Sequence, residues 1–425
     1  MHHFSYRDGR LFAEDVDLAA VAESIGTPFY CYSAATIERH YRLFARAVGA
    51  PANKVFYAMK ANSNQGVLRL MARMGAGADT VSEGEIRRAL AAGIPAQSIV
   101  FSGVGKAADE LAFAVETGIY QINVETESEL DLLSSVAAAK GRRQDAVIRI
   151  NPDVGAGGHA KITTGSSANK FGVSIEEAER CYAKAADLPG VRMLGLACHI
   201  GSQIRELADL EAAFARMREM TLRLRSQGLP VERLDLGGGL GIPYDIPETF
   251  DHGPGLIESY ARMVERTLGD LEVELGFEPG RIIVGNAGIL LARVLHLNPR
   301  PQKTFLIVDA AMNDLVRPAM YDAYHEIWTV HQAGPETPRR TYDVVGPVCE
   351  SGDTFTTGRV LPECRQGDLV AFMTAGAYGA VMSSTYNTRR LVPEVLVSGG
   401  RWAVVRPRPS YDDLIAQDRI PDWLA

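Results

Sequence analysis

The chain has 425 residues, which allows two or three domains of ordinary size, or one large barrel plus a smaller domain. Apolar residues make up 46% and charged residues 23%, as in an ordinary globular protein, and the formal net charge of −8 argues against a nucleic-acid-binding surface. The first residues make no secretory signal and no apolar run is long enough to span a bilayer, so neither nucleic acid nor membrane is an expected partner.

The cysteines indicate a reducing compartment. There are five of them, scattered and without CxxC spacing: Cys31, Cys181, Cys198, Cys349 and Cys364. Disulfide frameworks use even numbers of cysteines, and zinc sites use closely spaced pairs. This pattern predicts reduced thiols in a cytoplasmic protein and no metal site.

Short apolar runs alternate with amphipathic helical stretches from residue 55 to about residue 285. Several helical stretches end in a glycine, as helix C-termini commonly do. The strand-like runs are VFYAMK (55–60), ADTVS (78–82), SIVFSG (98–103), YQINVE (120–125), AVIRIN (146–151), RMLGLACHI (192–200), RLDLGG (233–238) and VELGFE (273–278). Eight successive strand–helix units predict an α/β fold, a (β/α)8 TIM barrel. A doubly wound open sheet is the alternative, although no G-x-G-x-x-G follows the first strand.

The pattern changes after Asn286. The later segments are strand-like, and SGGR (398–401) is typical of a hairpin turn. A mainly β C-terminal domain is therefore predicted, and the strand-like PFYCYS (28–33) adds a strand to one part or the other. We place the barrel at 37–286 and assign 1–36, together with 287–425, to the β domain.

Residues with distinctive chemistry fall at the carboxyl ends of the predicted strands, where active sites of such barrels gather. They are Lys60, Asp79, Ser82, Arg149, His199, the glycines of GGGLG (237–241), Glu278 and Arg281. A long Gly/Ser/Thr-rich loop, 151–172, follows one of these strands, and loops of that length are commonly functional. Each residue alone has an ordinary structural explanation, such as a lysine leaving a strand for water. Their concentration at one end of the barrel is what predicts a site.

One cofactor uses a lysine, a phosphate-binding loop, a flat imidazole and a carboxylate together. In pyridoxal 5′-phosphate enzymes the lysine forms a Schiff base, and a carboxylate keeps the pyridine nitrogen protonated so that the ring acts as an electron sink. Lys60, His199 and Glu278 supply these groups. The glycines after the seventh strand and the hydroxyl of Ser202 suit the phosphate. These residues predict a pyridoxal 5′-phosphate enzyme.

Seven ordered motifs resemble those of the bacterial diaminopimelate decarboxylases, fold-type III pyridoxal enzymes related to alanine racemase and ornithine decarboxylase. The motifs are YAMKAN, HIGSQ, LDLGGGLG, EPGR, MNDLVRPAMYDAYH, GPVCESGD and GAYG. The resemblance runs from about residue 25 to the last strands. It implies a barrel plus a β domain, and decarboxylation of meso-2,6-diaminopimelate to L-lysine and CO2, the last step of lysine biosynthesis by that route. It also implies a homodimer with active sites shared between head-to-tail subunits.

The resemblance assigns roles to particular residues. Cofactor binding is implied for Lys60, His199, Ser202, Gly238, Gly239, Glu278, Gly280, Arg281 and Tyr378. To these we add Asp79 and Arg149, which lie at strand ends of the same barrel. Substrate binding is implied for Arg281, Arg317, Tyr321, Glu350 and Tyr378. Catalytic roles are implied for three residues: Lys60 would carry the cofactor, His199 would stack on its ring, and Cys349 would donate a proton. Cys349 and Glu350 would come from the partner subunit.

Two positions separate this chain from related families. Glu278 offers a carboxylate where alanine racemases place an arginine, which favours decarboxylation. Arg317 suits a distal carboxylate, and Glu350 suits a distal amine; meso-diaminopimelate carries both. Three alternatives remain open: a carboxynorspermidine-type decarboxylase, a non-catalytic pyridoxal-binding relative and a metal-dependent barrel hydrolase. A hydrolase of that kind would need clustered His and Asp ligands, and only His199 is a histidine at a strand end.

Overall fold

The computed structural model describes residues 2–154, 170–245 and 255–424. The chain divides into two compact units. The barrel unit comprises Glu38–Ile242 and His252–Ile283, and the β unit comprises Met1–Ile37, Pro243–Asp251 and Val284–Ala425. Within the described ranges, no helix is both long enough and apolar enough to cross a membrane.

The β unit begins with a small antiparallel sheet. Its strands are β1 (Phe4–Arg7), β2 (Arg10–Ala13) and β3 (Val16–Asp17), followed by α1 (Leu18–Ile25) and β4 (Phe29–Ser33). Asp17 caps α1, because its side chain accepts a hydrogen bond from the backbone N–H of Ala19 at 2.9 Å. No pattern singled out in the sequence predicted this sheet, whose strands have only two to four residues.

Eight parallel strands form the predicted closed barrel, in the order β10-β11-β12-β5-β6-β7-β8-β9. They are β5 (Lys54–Ala58), β6 (Gly77–Thr80), β7 (Ile99–Phe101), β8 (Gln121–Val124), β9 (Gln144–Arg149), β10 (Val191–Ala197), β11 (Arg233–Asp235) and β12 (Glu274–Phe277). Each falls within one of the predicted runs or overlaps it. The barrel is confirmed and the open sheet is excluded. Its predominantly buried strands include polar side chains, among them Asp79, Asn123 and Asp235.

The helices of this part of the chain follow the strands as predicted. They are α2 (Ala34–Ala47), α3 (Gln65–Arg73), α4 (Glu83–Ala91), α5 (Ala108–Thr117), α6 (Glu127–Ala139), α7 (Ile175–Ala185), α8 (Ala208–Ser226), α9 (Gly255–Leu268) and the short α10 (Arg281–Val284). Ser82, singled out in the sequence at a strand end, is the N-cap of α4 and accepts a hydrogen bond from Glu85 N at 3.2 Å. Gly118 ends α5 with φ of 70°, a left-handed conformation that glycine adopts without steric cost.

The β unit is built on a nine-stranded sheet, which confirms the mainly β second part. Its later elements are β13 (Gly288–Pro299), β14 (Thr304–Val308), α11 (Arg317–Tyr321), β15 (Ile327–Thr329), β16 (Arg339–Val345), β17 (Thr354–Pro362), β18 (Leu369–Phe372), β19 (Glu394–Ser398), β20 (Arg401–Arg406) and α12 (Tyr411–Ile415). The N-terminal β4 lies between β13 and β19, which answers where PFYCYS belongs. The SGGR hairpin joins β19 to β20 as predicted.

Candidate active site

A cavity of about 200 Å³ opens at the carboxyl ends of the barrel strands. Six of its lining side chains come from six different strands or the residues just beyond them: Lys60, Asn123, Arg149, His199, Asp235 and Glu278. The fold therefore gathers four of the predicted residues into one cavity, and it adds Asn123 and Asp235, which sequence reasoning missed. Both missed residues lie inside predicted strands, and a polar side chain in an otherwise apolar barrel strand was the available signal.

Lys60 and Asp79 form an ion pair at this end of the barrel. Lys60 lies in the short 3₁₀ turn Met59–Ala61 just after β5, and its Nζ donates to Asp79 Oδ2 at 2.7 Å. The Asp79 side chain is fully buried, whereas that of Lys60 is 34% exposed. Among the described residues, none donates a hydrogen bond to the other carboxylate oxygen, Asp79 Oδ1. The pair holds an amine at the cavity and leaves one buried acceptor available.

The imidazole of His199 is neutral. Its Nδ1 accepts a hydrogen bond from the backbone N–H of Gly238 at 3.2 Å, so that nitrogen carries no proton. Burial lowers the pKa of His199 well below its ordinary value, and the positive charges of Arg149 and Lys60 lower it further. An uncharged, flat ring therefore lies beside the cavity.

Arg149 is fixed by a carboxylate that sequence reasoning also missed. Its Nη1 lies 2.7 Å from Oε1 of the buried Glu125, and its Nη2 donates to the backbone carbonyl of His199 at 3.2 Å. Glu125 also accepts from the backbone N–H of Gly172 at 2.9 Å. That glycine closes the long predicted loop, of which residues 155–169 lie outside the described part of the chain. Glu125 ends the predicted strand 120–125, so its position at a strand end could have revealed it.

The loop that follows β11 contains three consecutive glycines, Gly237, Gly238 and Gly239, and so presents backbone amides without side chains. Gly237 and Gly239 have φ of 63° and 106°, values that favour glycine. A Cβ on Gly238 would lie 2.2 Å from the Glu278 carbonyl oxygen, and one on Gly239 would lie 2.5 Å from the Gly201 carbonyl oxygen. Neither position has room for a side chain, and backbone amides without side chains are typical of phosphate-binding loops.

The loops after β10 and β12 are joined by a side-chain contact. Arg281 Nη2 donates to Ser202 Oγ at 2.9 Å, which holds the hydroxyl predicted to bind phosphate. A Cβ on Gly280 would lie 3.1 Å from the methyl groups of Ala58 and Ala61. The turn before Arg281 therefore packs tightly against the residues that flank Lys60.

The remaining predicted residues lie in the β unit. Arg317 is buried, its Nη1 is 2.8 Å from His325 Nε2, and its guanidinium lies over the ring of Tyr244, 4.5 Å from the centroid. His325 Nδ1 is 2.9 Å from the carbonyl oxygen of Met373, so Nδ1 is the donor and Nε2 accepts from Arg317. Tyr321 ends α11, the helix that Arg317 begins. His325 and Tyr244 were not predicted as site residues, although His325 lies inside the MNDLVRPAMYDAYH motif.

The GPVCESGD loop folds around its last residue. The Asp353 carboxylate accepts from the backbone N–H groups of Val348 at 2.6 Å and Met312 at 2.7 Å. Cys349 and Glu350, at the tip of this loop, are exposed. Asp353 is the element of the motif that sequence reasoning missed. Its carboxylate holds the loop at Val348, and Asn387 Oδ1 accepts from the backbone N–H of Cys349 at 3.1 Å.

Tyr378 is half-buried and has a positive φ of 55°. Residues other than glycine adopt this conformation rarely, and such residues concentrate at functional sites. The unusual backbone at this GAYG tyrosine is consistent with its predicted role.

The barrel of this chain matches a known cofactor-binding domain. Residues 34–285 match the family model described as "Pyridoxal-dependent decarboxylase, pyridoxal binding domain". The residues present fit pyridoxal 5′-phosphate: an amine for its aldehyde, a glycine cradle for its phosphate, a neutral flat ring, and a buried acceptor left on Asp79. By fold and site, the barrel defines a pyridoxal-dependent decarboxylase.

Full-length similarity gives a narrower family. Diaminopimelate decarboxylases of Zymomonas mobilis and Pseudomonas aeruginosa are 46% and 47% identical to this chain, and each match covers 99% of both chains. The crystal structure of diaminopimelate decarboxylase from M. jannaschii in co-complex with L-lysine superposes with a TM-score of 0.93 at 34% identity, covering 100% of both chains. That of the Helicobacter pylori enzyme complexed with L-lysine gives 0.89 at 37% identity, covering 94% of this chain and 99% of that one. The chain belongs to the diaminopimelate decarboxylase family, as the motifs predicted.

Proposed function

We propose that this protein is a pyridoxal 5′-phosphate-dependent decarboxylase that converts meso-2,6-diaminopimelate to L-lysine and CO2, the last step of lysine biosynthesis by the diaminopimelate route. The observation that carries the reaction type is the carboxyl group of Glu278 in the same barrel cavity as Lys60. The bound cofactor supplies an electron sink for the electron pair left when CO2 departs. A carboxyl group at its ring nitrogen strengthens that sink, which favours decarboxylation.

The barrel residues divide the work of holding the cofactor. Lys60 would bind it covalently, and Asp79 would keep the amine directed into the cavity. The neutral His199 would lie against its ring. Because the imidazole is uncharged, it would not affect the protonation of the ring nitrogen, which Glu278 would determine. Arg149 would contribute positive charge to the same cavity, held in place by its carboxylate partner.

The phosphate would be bound by groups from the loops after three strands. They are the hydroxyl of Ser202 and the backbone amides at Gly238, Gly239 and Gly280. These groups bind an anion without adding a formal charge of their own. Arg281, which already holds Ser202 at 2.9 Å, would contribute to both cofactor and substrate binding.

The substrate groups far from the reacting carbon would be bound by residues of the β unit. Arg317 would bind the distal carboxylate, since its guanidinium is fixed by His325 and Tyr244 and needs little further ordering. Tyr321 and Tyr378 would contact the substrate as well. We propose domain boundaries of 37–286 for the barrel, with 1–36 and 287–425 forming the domain that contributes substrate-site and interface residues.

We further propose a homodimer with shared active sites. Cys349 of the partner subunit would donate the proton that completes lysine, and Glu350 of the partner subunit would bind the distal amine. The exposure of the loop tip that carries both residues supports this, because it leaves them accessible to another subunit. All five cysteines are free thiols, which supports a cytoplasmic location.

The test is CO2 release by the cofactor-loaded enzyme from meso-diaminopimelate, compared with ornithine, arginine, lysine and carboxynorspermidine. We expect kcat/KM for diaminopimelate to exceed the others by at least about a hundredfold, because binding a distal carboxylate and amine together contributes several kcal/mol. Comparable release from ornithine or carboxynorspermidine would overturn the substrate assignment. Lack of CO2 from every amino acid, in protein that retains the cofactor, would favour a non-catalytic relative.

A further inference from the structure

A group of buried polar side chains lies behind Glu278 on the inner side of the barrel. Asn123 Nδ2 donates to Asp235 Oδ2 at 3.2 Å and to Glu278 Oε1 at 3.4 Å. Ser102 Oγ is 3.0 Å from the same Asn123 nitrogen and 3.4 Å from Glu278 Oε1. Asn123 Nδ2 therefore links the two buried carboxyl groups. Asp235 was not among the predicted site residues, although it lines the same cavity as Lys60.

Two buried acids that share one donor favour a state in which only one of them is ionised. The surrounding donors show which acid holds the proton. Asp235 Oδ1 accepts from the backbone N–H of Gly237 at 3.0 Å, and Oδ2 accepts from the amides of Gln121 at 3.3 Å and Asn123 at 3.2 Å. Among the described residues, Glu278 receives hydrogen bonds from Ser102 and Asn123 alone, each at 3.4 Å. Burial raises the pKa of Asp235 as well, but its three donors favour its ionised form over that of Glu278. Asp235 is therefore assigned as the carboxylate, and Glu278 carries the proton.

Burial and the net effect of the surrounding charges also favour the protonated form of Glu278. Burial raises its pKa well above the usual range, and the negative charges of Asp235 and Asp79 raise it further. The cations Lys60 and Arg149 oppose this effect only in part. His199 in the same cavity is neutral and adds no charge.

We infer that Asp235 is a positioning residue, which keeps a proton on Glu278 and fixes that carboxyl group where the ring nitrogen of the cofactor binds. The proton held by Glu278 in the free protein would be available to the ring nitrogen when the cofactor binds. The negative charge of Asp235 would then favour positive charge on that nitrogen. This inference rests on the proposed function for its meaning in catalysis. The proton itself belongs to the protein alone, and it can be measured without substrate or cofactor.

The first measurement is infrared spectroscopy of the cofactor-free full chain, following the carbonyl stretch of protonated carboxyl groups as a function of pH. Wild type minus Glu278→Gln isolates the band of Glu278, which we expect to be present at pH 7. The midpoint is the pH at which half of this band has disappeared. In Asp235→Asn the midpoint should fall by at least about one pH unit, because a negative charge beside Glu278 is gone. Asp235→Glu keeps the charge, so its midpoint should stay close to that of wild type.

The control is Asp314→Asn. Asp314 is a buried acid of the β unit whose pKa burial raises to about 7, so its removal should delete a different band and leave that of Glu278 unchanged. An unchanged midpoint for Glu278 in Asp235→Asn would overturn the inference. So would an equal shift in Asp235→Glu, because the charge would then not be the cause. Circular dichroism and thermal unfolding establish that each variant is folded.

The second measurement uses the cofactor-loaded enzyme. Asp235→Asn should lower kcat for diaminopimelate by about tenfold, with KM changed by less than about twofold, and should speed release of the cofactor. A raised KM at unchanged kcat would contradict a role at the ring nitrogen. If no amino acid is decarboxylated while the infrared band behaves as expected, the proposed function fails and the proton assignment stands.

Discussion

Lys60 and Asp79 form a pair that joins two adjacent barrel strands at the end where the cavity opens. Ala58, the last residue of β5, lies directly beside Asp79 of β6 in the parallel register, and Lys60 follows two residues later. Its Nζ reaches back to Asp79 Oδ2 at 2.7 Å. A fully buried carboxylate thus determines where the amine points, and the amine stays accessible from the cavity.

Lys60 is expected to be the residue that carries the cofactor. Borohydride reduction of the cofactor-loaded enzyme should fix the pyridoxyl group to the peptide containing Lys60, as measured by mass spectrometry. Lys106 is the internal control. It lies near the same end of the barrel, but its Nζ is buried and occupied by Glu129 at 2.7 Å and by the carbonyl oxygens of Gly103 and Asn123. Label on Lys106, or undiminished label in Lys60→Ala, would refute the assignment.

Arg317 is expected to bind the distal carboxylate of the substrate. Arg317→Ala should raise KM for diaminopimelate by about tenfold to a hundredfold, the range expected for loss of a charge-assisted hydrogen-bonded pair, while cofactor content stays unchanged. Arg317→Lys should restore only part of this loss, because an ammonium cannot keep both the hydrogen bond to His325 and the stacking on Tyr244. Steady-state kinetics provide the measurement.

The matched control for Arg317 is Arg365→Ala, which removes an exposed arginine from the same unit and should leave KM unchanged. Equal effects from the two substitutions would indicate a general effect of charge rather than a binding role. An unchanged KM in Arg317→Ala would remove Arg317 from the distal site.

Shared active sites predict complementation between inactive variants. Unfolding and refolding a mixture of Lys60→Ala and Cys349→Ala subunits should restore about a quarter of wild-type activity, since half of the dimers are mixed and each mixed dimer has one intact site. The control mixture, Lys60→Ala with Glu278→Gln, should restore none, because both changes lie in the barrel unit. No recovery in the first mixture, or equal recovery in both, would argue against sites shared in this way.

Asp314 should make the protein less stable as the pH rises. Burial raises its pKa from about 3.9 in the unfolded chain to about 7 in the folded protein, although it accepts a hydrogen bond from Ala311 N. The folded state therefore binds the proton more tightly, and the free energy of unfolding falls between about pH 4 and pH 7, by up to about 4 kcal/mol.

Asp314→Asn removes this pH dependence, so the variant should gain stability relative to wild type between pH 5 and pH 8. Thermal unfolding midpoints at the two pH values test the expectation. The exposed Asp187→Asn should show no such change. The stability difference between Asp314→Asn and wild type could instead be the same at pH 5 and pH 8. That result would mean that Asp314 is ionised at both pH values.

The sequence by itself determined the order of the barrel and which residues stand at its strand ends. Both follow from local rules: apolar runs bounded by helix signals mark strands, and parallel strands in a barrel bring their carboxyl ends to one side. These local rules are sufficient to identify Lys60, His199, Glu278 and the glycines after β11. The ordered motifs added the family.

Only the tertiary structure decided the partners of those residues. Asp235 behind Glu278, Glu125 beside Arg149 and His325 beneath Arg317 were all missed, as was the place of β4 between two strands of the C-terminal part. The pairs Asp235–Glu278 and Glu125–Arg149 join segments that are distant in sequence, as do the pairings of β4 with β13 and β19. His325 and Arg317 are only eight residues apart, but the motif does not predict the turn that brings them together. Such contacts exist because a buried charge or hydrogen-bonding group needs a partner; the need is visible in the sequence, but the choice of partner is made only when the chain packs.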